Sequence, residues 1–198
     1  MTLDQFRPHV KQFIDPLVGI SIRIGLTPNF LTVASFIVAG AAGIFYYWGN
    51  VAVGTFLVFL NALFDALDGA LARALNIQSK RGDFLDHAVD RYADIFIITG
   101  IFAGGMAPWW IGVFALTGVL MASYLGTQAQ AVGVGRYYGG LLGRADRLVL
   151  ILIAGILDLI IPGGVYGLPY LGWLLVIFGI MGHFTALQRF AFVWRTME

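Results

Sequence analysis

The sequence predicts an all-α integral membrane protein, six transmembrane helices preceded by an N-terminal amphipathic interfacial helix, and three observations carry that prediction. Of 198 residues, 59% are hydrophobic and 15% aromatic, but only 12% are charged, against roughly 25% charged in an ordinary soluble domain. The apolar residues gather into six windows near the length of about 20 residues that a membrane crossing needs. All twelve lysines and arginines fall on one side of the path those windows trace.

The leading helix comes first. Leu3, Phe6, Val10, Phe13, Ile14, Leu17 and Ile20 recur at three- and four-residue spacing, with Asp4, Arg7, Lys11 and Asp15 between them. That is the pattern of a helix lying in the membrane surface, its rival being a short soluble helix packed on the loops. The interspersed charges deny this stretch the continuous apolar core of a cleavable leader. TPN at 27–29 supplies capping residues beside a proline and opens the first span. The spans are residues 29–47, 51–75, 84–104, 108–132, 147–161 and 171–193. The fifth is short, so its first turn draws on residues 143–146. Breaks at GN (49–50), GGMAP (104–108) and PGGVYGLPY (162–170) are glycine and proline turn signals on one side. The cations of the opposite side make that face cytoplasmic, so a multi-pass protein of the cell membrane is expected, with both termini and any site there on the cytoplasmic side. One multi-pass domain over residues 1–198 is expected. The absence of cysteine excludes disulfides and thiolate metal sites, and no nucleic-acid partner is expected.

Residues 65–90 read DALDGALARALNIQSKRGDFLDHAVD and hold five of the eleven acidic residues. Carboxylates inside spans cost roughly 2.5 to 3.5 kcal/mol each, so clustering them requires counterions or a function. Asp65 and Asp68 are three apart, about 60° around a helix, and Asp86 and Asp90 four apart, about 40°. Each pair shares a face. The twelve residues LARALNIQSKRG between the pairs let the chain leave the membrane, turn and re-enter, so the two helices are expected to be antiparallel neighbours with both pairs at the cytoplasmic interface. Converging carboxylates, read with no histidine or cysteine among the ligands, favour Mg²⁺ or Mn²⁺ over zinc. Two ions about 3.5 to 4 Å apart could be bridged there and clamp a diphosphate. A plain salt-bridge network with Arg73, Lys80, Arg81 and Arg91 is the competing structural reading. Asp83 and Asp94 continue the stripe, Asp94 as a partner for an arginine, whereas His87 points off it and His183 reads as a polar contact within a span.

These residues resemble the CDP-alcohol phosphotransferase family, marked by D-x2-D-G-x2-A-R-x8-G-x3-D-x3-D. Asp65, Asp68, Gly69, Ala72, Arg73, Gly82, Asp86 and Asp90 stand at every required spacing. The resemblance extends to the six-span layout and the amphipathic leader. It implies that Asp65, Asp68, Asp86 and Asp90 hold two divalent ions and that Asp68, Gly69, Arg73 and Gly82 bind the CDP portion. It also implies that Asp90 takes the acceptor's proton as a small alcohol attacks the phosphorus of a CDP-lipid and CMP leaves. Glycine lets a nucleotide approach backbone closely, and a forked arginine suits phosphate oxygens. Membrane lipids surround such a protein, and the family is usually a homodimer. Small residues such as Gly40, Ala41, Ala42 and Gly43, or Gly112 and Gly118, permit close helix packing within or between chains.

A second basic cluster spans residues 123–148, with Arg136, Arg144 and Arg147 as candidates for the acceptor's phosphate. Ser123, Tyr124, Ala129, Arg144 and Arg147 resemble the branch that makes phosphatidylinositol phosphate and archaetidylinositol phosphate, whose stretch runs S-Y-x-K-A-R-A-E and later E-R-P-E-R. Gly126 and Gln128 stand where that branch has Lys and Arg, Gln130 replaces the Glu and Ala145 the Pro. Inositol phosphate or glycerol phosphate is the expected acceptor, with Arg136 or Arg189 compensating; serine or another uncharged alcohol is the alternative. Two remoter readings remain. A UbiA-like prenyltransferase would use Asn61, Asp65 and Asp68 as N-x3-D-x2-D, but such enzymes are longer. A cation transporter would set its acids near the midplane.

Overall fold

The computed structural model describes residues 7–137 and 139–197, with side chains described from residue 12 onward. Among the described residues seven α-helices follow one another: α1 (Arg7–Arg23), α2 (Pro28–Tyr47), α3 (Val51–Ala74), α4 (Lys80–Ile101), α5 (Trp109–Ala131), α6 (Arg144–Ile160) and α7 (Tyr170–Thr196). Helices α2 to α7 overlap the six expected windows, with ends displaced by up to four residues. Four of them, α2, α3, α5 and α7, are long and apolar enough to cross a membrane. Helix α4 has 22 residues but concentrates charge in its first half, and α6 has 17.

Local chemistry sets the helix ends. Thr27 accepts a hydrogen bond from the Phe30 amide at 3.3 Å and Pro28 fills the first helical turn, where its missing N–H costs nothing. Asn50 caps α3 through the Val53 amide and Ser79 caps α4 through the Gly82 amide, both at 3.1 Å. Asp158 spans two elements: its carboxylate oxygens accept from the Tyr170 and Leu171 amides at 2.7 and 2.9 Å, so α6 caps the start of α7. Beyond Ile101, α4 loosens into a π-helical stretch over Phe102–Met106, where Gly105 adopts φ 84° before Pro108 starts the next helix.

The six long helices close into a ring in the order α2, α3, α6, α7, α5, α4. Here the structure corrects an expectation. Helices α3 and α4 scarcely touch; each packs along α2 instead. The cause is the small-residue face of α2. A Cβ placed on Gly43 would stand 2.4 Å from the Phe96 carbonyl oxygen, and one on Gly100 would stand 2.2 Å from that of Gly43, so the α2 and α4 backbones are in contact. Glycines do the same between α5 and α7, where a Cβ on Gly182 would lie 2.7 Å from the backbone of Gly118. Both small-residue stretches are therefore used within the chain. Tyr46, Val58, Ile97, Ile101, Val119, Leu175 and Phe178 fill the ring's interior.

The amphipathic stripe of α1 divides. Leu3, Asp4 and Phe6, and the side chains of Arg7, Val10 and Lys11, lie outside the described residues. Ile14 and Val18 are buried against Leu67 and Leu71 of α3 and Leu31 of α2, whereas Phe13 is 78% and Ile20 53% exposed. One edge of the helix faces the bundle and the other faces away.

Candidate active site

At one end of the ring the start of α2, the end of α3, the starts of α4 and α6 and the ends of α5 and α7 come together. Because α2 separates α3 from α4, the acidic faces of those two helices meet across a gap. Oxygens of Asp65, Asp68 and Asp86 lie within 4.8 Å of one another, and so do those of Asp86 and Asp90 with a ring nitrogen of His87. Asp86 belongs to both groups. Asp68 and Asp90 are buried, with 5% and 6% of their surface exposed. His87, expected off the acidic stripe, thus lies beside it, also 3.3 Å from Asp83.

Charge balance is incomplete within the cluster. Arg144, from the first turn of α6, sets Nη1 against Asp65 and 2.7 Å from Asp90, while Arg91 lies 3.6 Å from Asp90. Two arginines therefore face four carboxylates among the described residues. Carboxylate oxygens this close, in two groups that share Asp86 and of which the second adds the His87 nitrogen, with negative charge in excess, fit a pair of divalent cations.

The other predicted residues divide. Arg73 lies over Gly69, its Nη1 3.3 Å from where a Cβ on that glycine would stand. Gly82 faces Asn29 of α2, whose Oδ1 would be 3.7 Å from a Cβ there. Arg147 is buried against Asp94 at 2.6 Å, both residues 5% exposed or less, so its charge is engaged by the acid expected to pair with an arginine. Arg136 donates two hydrogen bonds to Asp83, at 3.2 and 2.9 Å. Asp83 precedes the 84–104 window, and the Arg136 guanidinium holds its carboxyl below the usual carboxylate range. Arg144 keeps two buried donors, Nε and Nη2, without hydrogen-bond partners.

Thr32 escapes a reading of the sequence, and Arg189, expected as a compensating cation for the acceptor, bonds to backbone instead. Thr32 of α2 donates to Asp68 at 2.6 Å; a threonine inside an apolar span gives no sign of what it faces. Arg189 of α7 donates to the carbonyls of Ala122 and Gly139 at 2.6 and 2.8 Å. It braces the connection between α5 and α6, where Tyr137 also stacks on Phe192 with ring centroids 3.9 Å apart. A Cβ on Gly126 would fall 2.6 Å from Arg189 and 2.8 Å from the Tyr137 carbonyl.

Comparison with known proteins agrees with this geometry. A model of the CDP-alcohol phosphatidyltransferase family matches residues 25–193. The chain is 34% identical over 196 residues to an archaetidylinositol phosphate synthase of Methanothermobacter thermautotrophicus, covering 99% of this chain and 96% of that one. With a Pyrococcus horikoshii protein of the same name it is 36% identical over 172 residues, 87% and 91% of the two chains. The crystal structure of Mycobacterium tuberculosis phosphatidylinositol phosphate synthase with CDP-DAG bound matches at a TM-score of 0.78 and 25% identity, over 92% of this chain and 94% of that chain. A structure of the same protein with manganese and citrate matches at 0.76 and 26%, over 90% and 88%. A helical ring of this shape, with the acidic motif at one end and relatives of this kind along nearly its whole length, places the chain in the CDP-alcohol phosphatidyltransferase family.

Proposed function

We propose that this enzyme transfers a phosphatidyl-type group, diacyl or archaeol, from a CDP-lipid to inositol phosphate or a similar polyol phosphate and releases CMP. The observation that carries this reading is the pair of carboxylate groups sharing Asp86, with Arg144 reaching in from α6. Curated relatives named for inositol phosphate lipids support the acceptor class.

Asp65, Asp68 and Asp86 would hold one divalent cation, and Asp86 with Asp90 the second. When bound, such cations polarise phosphoryl oxygens and hold the charge that develops on departing CMP. The protein's own groups do the rest. Gly69 leaves the backbone open beside Arg73, which neutralises donor phosphate, and Gly82 leaves it open beside Asn29. Arg144 stands between the donor carboxylates and the α5–α6 connection, so its unpartnered Nε and Nη2 can take the acceptor's phosphate. Asp90 accepts the acceptor hydroxyl's proton as its oxygen bonds to the lipid-linked phosphorus and the bond to the CMP oxygen breaks. Arg136 and Arg147, held by Asp83 and Asp94, fix the walls on either side.

Gly126 favours a second acceptor. Arg189 and the Tyr137 carbonyl fill the space that a long cation at 126 would need, and Arg189 directs donors to the Gly139 and Ala122 carbonyls, which suits an acceptor without net charge such as serine. Incubating the purified protein with a CDP-lipid, Mn²⁺ and inositol phosphate, glycerol phosphate, serine or inositol in turn separates the two by CMP release. The polyol phosphates are expected to be turned over; release with serine alone would overturn the acceptor, and release with none would overturn the reaction.

The charge distribution supports a single six-span domain with α4 and α6 also crossing, α1 in the interface, and the acidic end and both termini cytoplasmic. The family resemblance supports a homodimer, which native mass spectrometry in detergent would test.

A further inference from the structure

We infer that Thr32 is a positioning residue for Asp68, fixing that carboxylate from α2 so that it presents a set geometry to a divalent cation. The inference rests on Asp68 being a metal ligand. Thr32 and Asp68 are 4% and 5% exposed, and the Thr32 hydroxyl lies 2.6 Å from Asp68 Oδ2 and 3.1 Å from the Pro28 carbonyl oxygen. The hydroxyl has one proton. Neither an ionised carboxylate nor a carbonyl can supply another, so the proton goes to the nearer, charged acceptor.

The placement has a structural reason. Helix α2 is the element on which α3 and α4 both pack, so a hydrogen bond from α2 ties Asp68 to the same body that sets the spacing between the two acidic faces. Threonine suits the task because its branched side chain has few rotamers on a helix. A carboxylate held at one oxygen loses freedom about its terminal torsion, and partners of this kind typically change metal affinity 10- to 100-fold when removed.

Mn²⁺ binding to the purified full-length protein, read from the electron paramagnetic resonance of free Mn²⁺, tests this with Thr32→Val, Thr32→Ser and Asp68→Asn, alongside the thermal midpoint of each without metal. Thr32→Val is expected to bind Mn²⁺ about tenfold more weakly, and Thr32→Ser to restore the affinity. Wild-type affinity in Thr32→Val while Asp68→Asn is impaired would overturn the inference and leave Asp68 a ligand. Unchanged affinity in Asp68→Asn would overturn both. Equal weakening in the Val and Ser variants, with lower thermal midpoints, would assign Thr32 to packing and also overturn it.

Discussion

At the scale of single residues, Asp90 is the place where chemistry and binding should come apart. It is buried, 2.7 Å from Arg144 and 3.6 Å from Arg91, and asparagine preserves its shape while losing both the capacity to take a proton and one negative charge at the second cation. Asp90→Asn is expected to lower turnover about 10²- to 10⁴-fold while CDP-lipid binding, measured by equilibrium dialysis, stays near wild type. Normal turnover would remove Asp90 from the proton-accepting role. The acidic residues were legible because carboxylates are conspicuous in an apolar chain and their three- and four-residue spacing states which face they share. Their partners were not. Arg147 lies in the basic cluster that reads as an acceptor site, yet its contact with Asp94 depends on how α6 meets α4. Thr32 is silent for a similar reason: most hydroxyls in apolar helices turn back to their own backbone, as Thr117 does to the Val113 carbonyl at 2.8 Å.

At the scale of elements, hydropathy and turn chemistry locate helices within a few residues, as the 51–75 window and the observed Val51–Ala74 show. Periodicity carries no statement of which helix lies beside which. The insertion of α2 between α3 and α4 depends on complementary small surfaces, and Gly43 with Gly100 is where it is decided. Gly43→Leu would drive a side chain into the Phe96 backbone, so about 1 to 3 kcal/mol of destabilisation or more is expected from overpacking, together with loss of activity because the acidic faces shift. A thermal melt at the wild-type midpoint would contradict this. Gly40→Ala is the contrasting case: its Cβ would lie 3.7 Å from the Phe96 ring, an ordinary contact, and near-wild-type stability is expected. The α5–α6 connection is tied at one end by Arg136 to Asp83, a pair with Asp83 54% exposed. A double-mutant cycle on that pair is expected to return about 0.2 to 1 kcal/mol of coupling in a melt, less at high salt.

At the scale of the whole molecule, the two ends of the ring have opposite characters. One is closed by glycine and proline turns and by Asp158 capping α7; the other collects the acids and the cations. Four carboxylates facing two arginines repel one another within a low-dielectric bundle, and a divalent cation relieves that repulsion only in the folded state, where the groups converge. Binding to the folded form alone adds stability as RT ln(1 + [L]/Kd), about 2.7 kcal/mol at a hundredfold excess over Kd. Mn²⁺ is therefore expected to raise the thermal midpoint and a chelator to reverse the change. Asp86 decides whether the effect arises at this cluster, since its oxygens serve both carboxylate groups. Asp86→Asn should abolish most of the Mn²⁺-dependent shift, whereas Asp158→Asn, at the far end, should lower the midpoint through the α7 cap and leave the shift intact. A full Mn²⁺ shift in Asp86→Asn would place metal stabilisation elsewhere and remove the two-cation reading of the site.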